Sequence, residues 1–314
     1  MFKGLDVLDN LHLNFSEGGL LILNFTLFFI MFGVALEIKI PQIKEVFTKP
    51  KSAIIGFLSQ FFALPALTFL LVWLLGNRLT PGVALGMILV AACPGGNISN
   101  FISTHANGNP ALSVSLTGIA TLAAIVLTPV NFGFWGKLYS TTTPLLVPIE
   151  IDPFEMFKTV LLLLGIPIIL GMIFNKKYPV ATSKIKKPIK ILSILIFIAY
   201  VIIAFAKNFD HFLHYIHFIF MLVLIHNALA LLTGYSLATI FKINRKNRRT
   251  ISIETGIQNS GLALVLIFNP KIFPPELGTG GMAIIAAWWG VWHIISGLVI
   301  SSLWSLKPLP NEEE

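Results

Sequence analysis

Residues 91–100 read AACPGGNISN, from Ala91 to Asn100, and the chain is apolar on both sides of them. Pro94, Gly95 and Gly96 disfavour a continuous helix, while Asn97, Ser99 and Asn100 are polar where the surroundings are hydrocarbon. What such a break means depends on the solvent. Of 314 residues, 55% are hydrophobic and 11% charged, with a mean hydropathy of +0.84, whereas soluble domains carry roughly 25% charged residues. Apolar runs near the ~20 residues that cross a ~30 Å hydrocarbon core recur along the chain. The sequence reads as an all-α polytopic membrane protein, one transmembrane domain over residues 1–314.

Nine spans are predicted, near residues 18–38, 53–75, 82–106, 110–131, 154–174, 188–206, 212–240, 250–268 and 279–304. The first follows a polar stretch without the basic start and small-residue cleavage site of a signal peptide, so it reads as a retained helix. Lys39, Lys44, Lys49 and Lys51 lie between spans 1 and 2. Lys176, Lys177, Lys184, Lys186, Lys187 and Lys190 lie between spans 5 and 6. Lys242, Arg245, Lys246, Arg248 and Arg249 lie between spans 7 and 8, and Lys307 follows span 9. The basic face is expected to be cytoplasmic, with the N-terminus outside and the C-terminus inside. These loops account for the formal charge of +8 without a nucleic-acid partner. The single cysteine, Cys93, excludes an internal disulfide or a cysteine metal cluster. Asn14-Phe15-Ser16 has the form of a glycosylation acceptor on the outer tail, a triplet that also arises by chance.

A second break falls in span 8, IETGIQNSGLA, from Ile253 to Ala263. Unwound backbone survives at membrane depth only where it is buried or lines a cavity. Paired interrupted helices point to a transporter binding site. A simple kink is the competing explanation, but it accounts neither for Asn97, Ser99 and Asn100 together nor for Glu254, a carboxylate deep in a span. Such a charge costs at least ~2.5–3.5 kcal/mol on insertion scales and is functional by default. Ser113 and Thr117 share a helix face in span 4, as Glu254 and Gln258 do if the helix persists, and Gln60 is an isolated amide in span 2. Oxygen donors of this kind suit a hard alkali cation. Ser113 and Thr117 could equally serve close helix packing.

CPGGNISN, NGNPALSVSLT (107–117) and RRTISIETGIQNSGLA (248–263) together resemble the bile acid:sodium symporter family. The likeness runs from FFIMFGVALEIK (28–39) to VWHIISG (291–297). It implies inverted five-helix repeats with the first helix missing, a panel domain near 18–38, 154–174 and 188–206, and a core domain near 53–131 and 212–304 with two crossing broken helices. It also implies two sodium sites. The first would use Ser99, Asn100, Ser113, Thr117 and Glu254. The second would use Gln60, Glu254, Gln258 and the carbonyls of Thr255 and Ile257.

The implied function is sodium-driven import of an organic anion, bile-acid-like or a smaller carboxylate, across the cell membrane. Free N–H groups at half-helix N-termini favour anions, so Asn97, Asn259 and Ser260 are the expected substrate contacts, with His293 added by resemblance. His226 and Asn227 read as packing residues. Ile294 stands where several bacterial relatives carry an asparagine. A proton-coupled carrier of the same architecture would instead need Glu254 to titrate. An intramembrane enzyme lacks support, because HExxH and GxSxG motifs are absent.

Overall fold

A computed structural model describes residues 6–9, 17–37, 50–142, 152–207, 209–273 and 278–306. The Asn14 triplet, Lys39, Lys44, Lys49 and the C-terminal segment from Lys307 lie outside the described residues. Among the described residues a one-turn segment, Asp6–Asp9, is followed by eleven helices. They are α1 (Glu17–Glu37), α2 (Pro50–Arg78), α3 (Pro81–Ala92), α4 (Ser99–His105), α5 (Pro110–Thr142) and α6 (Pro153–Lys177). Then follow α7 (Pro179–Lys207), α8 (Phe209–Ile240), α9 (Arg245–Gly256), α10 (Ser260–Ile267) and α11 (Gly280–Ser305). Among the described residues five stretches are long and apolar enough to cross a membrane: α2, α5, α6, Ile219–Ile240 of α8, and α11. The chain is a polytopic membrane protein.

Both predicted breaks are present. The third span divides into α3 and α4, of 12 and 7 residues, and the eighth into α9 and α10, of 12 and 8. At ~1.5 Å per residue, each pair of halves adds up to about 30 Å of helix, the depth of a bilayer core. The fourth span runs further than expected, to Thr142, because Pro129 sits within α5 without ending it. Large apolar side chains face outward on the long helices, among them Phe25, Val126, Phe134, Leu162, Ile173 and Leu303. Of the polar residues of the breaks, Ser99, Glu254, Thr255, Gln258 and Ser260 are buried, and Asn97, Asn100 and Asn259 are half-buried. Where the solvent is hydrocarbon, an apolar exterior costs nothing, and polar groups must find partners within the protein.

In α2, residues Ser59–Ala63 form a π-turn, with Pro65 two residues beyond it. Proline has no N–H to continue the α-helical ladder, and a π-turn absorbs the mismatch. Within that turn Ser59 and Gln60 are both buried. In the packing, α1 lies against α6 and α7, whereas α8 lies against α9 and α11, and α3 against α5 and α11.

One feature was not legible from the sequence. The Asp6–Asp9 turn, part of what reads as a polar tail, packs on α3 and α11 with Leu8 fully buried. The Asp9 carboxylate accepts hydrogen bonds from Thr80 Oγ1 and Gly82 N, each 2.8 Å, at the N-terminus of α3. A negative charge is favourable there.

Candidate functional site

The two breaks meet and bond to each other. Gly96 N donates to Ile257 O at 2.7 Å, and Asn259 N donates to Pro94 O at 2.9 Å, forming an isolated antiparallel bridge between Gly95 and Gln258. Gly96 is required by this approach, since a Cβ there would stand 2.8 Å from Gln258 O. Side chains satisfy four further carbonyls at the breaks. Thr128 Oγ1 donates to Ala92 O at 2.8 Å, Gln60 Nε2 to Cys93 O at 2.8 Å, Gln258 Nε2 to Thr255 O at 2.6 Å, and Asn227 Nδ2 to Gly256 O at 2.8 Å. Unwound backbone in hydrocarbon demands such compensation.

Glu254, 5% exposed, lies at the C-terminal end of α9 beside the meeting point. Ser99 Oγ donates to its Oε1 at 2.7 Å, Thr117 Oγ1 to its Oε2 at 2.9 Å, and Ser113 Oγ to Oε1. Asn100 Oδ1 lies 2.9 Å from Ser113 Oγ and 3.2 Å from Thr117 Oγ1, and Ser99 Oγ is 3.4 Å from Thr117 Oγ1. Six oxygen–oxygen contacts therefore share three hydroxyl protons. A proton on Glu254 would add only one more. Among the described residues no lysine or arginine forms an ion pair with this carboxylate. The first expected residue set is thus assembled in full, as a cage with more lone pairs than hydrogens.

The second set is also brought together, but in a different state. Gln60 Nε2 donates to Gln258 Oε1 at 2.9 Å and Gln258 Nε2 to Gln60 Oε1 at 3.2 Å, a reciprocal amide pair. The carbonyls of Thr255 and Ile257 already accept one bond each, from Gln258 Nε2 and Gly96 N. A carbonyl has two lone pairs, so each retains one. A small cavity is lined by Gln60 of the second set and the shared Glu254, with Gly56, Phe57, Gly95, Leu116 and Ala120.

The expected substrate residues are less tightly joined. Asn259 caps α10, its Oδ1 accepting from Leu262 N at 3.0 Å. Asn97 Oδ1 and His293 Nδ1 are buried without a hydrogen-bond partner among the described residues. Ser260 is buried against Gly290, whose added Cβ would lie 2.6 Å from its Oγ. Among the described residues no hydrogen bond links the side chains of Asn97, Asn259, Ser260 and His293 to one another.

Two residues read as packing prove to have polar work. Asn227 caps the Gly256 carbonyl freed by the break and accepts from Ser296 Oγ at 2.5 Å. His226 bonds Thr68 Oγ1 through Nε2 at 2.8 Å and lies edge-on to Trp289. Ser59, overlooked in the sequence, lies 2.9 Å from Thr255 Oγ1. Only a three-dimensional pairing could reveal these roles, since each partner is remote in sequence.

The family model described as the Sodium Bile acid symporter family matches residues 24–215. The chain is 32% identical over 281 residues to the "Uncharacterized sodium-dependent transporter YocS" of Bacillus subtilis, covering 88% of this chain and 81% of that protein. It is 30% identical over 277 residues to the "Probable sodium/metabolite cotransporter BASS1, chloroplastic" of Arabidopsis thaliana, covering 87% of this chain and 64% of that one. The "Sodium-dependent organic anion transporter" of Mus musculus is 28% identical over 276 residues, 86% of this chain and 69% of the mouse protein. The chain thus spans about two thirds of the length of the plant and mouse proteins. With the family match covering more than half its length, the chain belongs to the sodium bile acid symporter family, a family of transporters and not of enzymes.

Proposed function

We propose that this protein is a sodium-coupled symporter that imports an organic anion by alternating access. The observation that supports this best is the oxygen cage at Glu254, where a buried carboxylate without a cationic side chain meets three hydroxyls and an amide oxygen. Too few hydrogens serve those contacts, and a hard cation with oxygen ligands relieves the excess of lone pairs. In this reading Ser99, Asn100, Ser113, Thr117 and Glu254 take one sodium. Gln60, Glu254, Gln258 and the carbonyls of Thr255 and Ile257 take a second, once the amide pair opens. One carboxylate beside two cations leaves net positive charge, which a substrate anion partly offsets. Sodium and anion then each favour the other's binding, and that coupling is reciprocal.

The anion is assigned to the crossover, where Asn97, Asn259, Ser260 and His293 offer donors beside the start of α10. It is bile-acid-like or a smaller carboxylate. The packing of α1 against α6 and α7 supports a panel of those helices, with α2–α5 and α8–α11 as the core, in inverted repeats. The protein sits in the cell membrane with its N-terminus outside and C-terminus in the cytoplasm, on the strength of its basic loops. The test is uptake of labelled anions, a bile-acid sulfonate and a small keto acid, into vesicles holding the purified protein. An inward sodium gradient should drive accumulation. Sodium-independent uptake driven by a pH gradient would overturn the reading in favour of proton coupling.

A further inference from the structure

The cage is built from three helices, and a second polar junction joins the same three helices one turn away. Ser103 follows Ser99 by four residues in α4, Asn109 precedes Ser113 by four at the start of α5, and Thr250 precedes Glu254 by four in α9. Residues four apart lie on one helix face, so the junction is stacked directly against the cage. Thr250 Oγ1 is its hub. It accepts from Asn109 N at 2.7 Å, lies 2.9 Å from Ser103 Oγ, and can donate to Lys246 O at 3.2 Å. Ser103 and Thr250 are both fully buried. Gly108 closes the turn between α4 and α5 over this hydroxyl, because a Cβ there would stand 2.7 Å from Thr250 Oγ1 and 2.8 Å from Ser103 Oγ. Asn109 extends the junction outward. Its Oδ1 caps α5 by accepting from Leu112 N at 3.1 Å, and its Nδ2 donates to Asn247 Oδ1 at 2.9 Å. Asn247 Nδ2 in turn donates to Ser52 Oγ of α2 at 2.9 Å.

Among the described residues the Thr250 hydroxyl makes no hydrogen bond to the Glu254 carboxylate or to any other cage oxygen. We infer that Thr250 is a positioning and specificity-determining residue: its hydroxyl locks the spacing of α4, α5 and α9, and so sets the size of the cage and its preference among alkali cations. The inference rests on the sodium reading above and deepens it. Selection between cations depends on cavity size and on the rigidity of the ligands. A cage whose helices were free to separate would lose affinity for the ion it fits and discriminate less against its neighbours. The junction has what rigidity requires, namely full burial, paired polar groups and no room for an added methyl at Gly108.

The experiment is titration of the purified full-length protein with sodium and, separately, lithium, by calorimetry. Thr250→Val keeps the shape and removes the hub. It should weaken sodium binding about tenfold, within the range of couplings transmitted through packed networks, and move the sodium-to-lithium affinity ratio toward one. Thr250→Ser restores the hydroxyl and should restore both values. Ser103→Ala removes one contact and leaves Asn109 N bonded to Thr250, so it should shift the ratio in the same direction by a smaller factor. An unchanged ratio in folded Thr250→Val would overturn the inference. If that variant does not fold, an unchanged ratio in Ser103→Ala overturns it. Glu254→Gln is run beside them, and native sodium binding in that variant would mean that the sodium reading itself has failed.

Discussion

On one side of Glu254, three hydroxyls and an amide oxygen crowd a carboxylate with too few protons to go round; on the other, two glutamine amides satisfy each other. The contrast lies in the side-chain chemistry. A hydroxyl brings one proton, and Ser99, Ser113 and Thr117 must share three among six contacts. An amide brings two N–H groups and one oxygen, and Gln60 and Gln258 close into a reciprocal pair that also caps Cys93 O and Thr255 O. On the sodium reading proposed above, the hydroxyl cage can take a cation as it stands. The amide side must first give up internal hydrogen bonds, each with a net worth of about 1 kcal/mol. From this difference the cage is expected to fill first and the amide site at higher sodium concentration.

The largest effect should come from the group the two regions share. Glu254→Gln keeps the shape and removes the charge, and should abolish sodium binding on both sides. A loss beyond about 100-fold is expected, since removing one partner of a buried ion pair costs roughly 3–5 kcal/mol. Near-native affinity measured by calorimetry would end the shared-carboxylate model. Next come the variants that separate the two sides. Thr117→Ala should damage the tighter sodium event and Gln60→Ala the weaker one, each by about tenfold, or about 1.4 kcal/mol, the size of one net intramolecular hydrogen bond. Identical titration curves for the two would show that the clusters do not act as distinct sites.

Asn259→Ala probes the crossover between them and removes both a donor and the cap of α10. Anion affinity at saturating sodium should fall by several-fold, in keeping with a cap worth ~1 kcal/mol, while sodium affinity without the anion stays near native. Equal losses in both would assign Asn259 to the cation sites or to the fold. The smallest effect is expected far from both clusters. Asp9→Ala should lower thermal stability by about 1 kcal/mol through loss of the charge at the start of α3, leaving both sodium affinities intact. A change in either affinity would mean that the N-terminal turn communicates with the site.

Much of this was legible along the chain because it depends on local chemistry. Glycine and proline at 94–96 determine that the backbone unwinds there, and a carboxylate at 254 inside an apolar run is conspicuous in any hydrocarbon segment. The π-turn at Ser59–Ala63 was not anticipated, although Pro65 was its signal. Asn227 was misjudged because an amide on an apolar helix face looks the same in sequence whether it packs or caps a carbonyl. Thr250 resembled any other threonine at the end of a basic loop.

By itself the sequence determined the solvent, the helical class and the two breaks, for apolar run length, charge content and Pro–Gly chemistry act over a few neighbouring residues. The tertiary structure alone decided which broken carbonyl meets which donor, and which oxygens share a proton. Gln60 and Gln258 are 198 positions apart, and Thr250 and Asn109 are 141 apart. Hydrogen bonds depend on distances of about 3 Å and on direction, and no local pattern fixes those across such separations until the helices have packed.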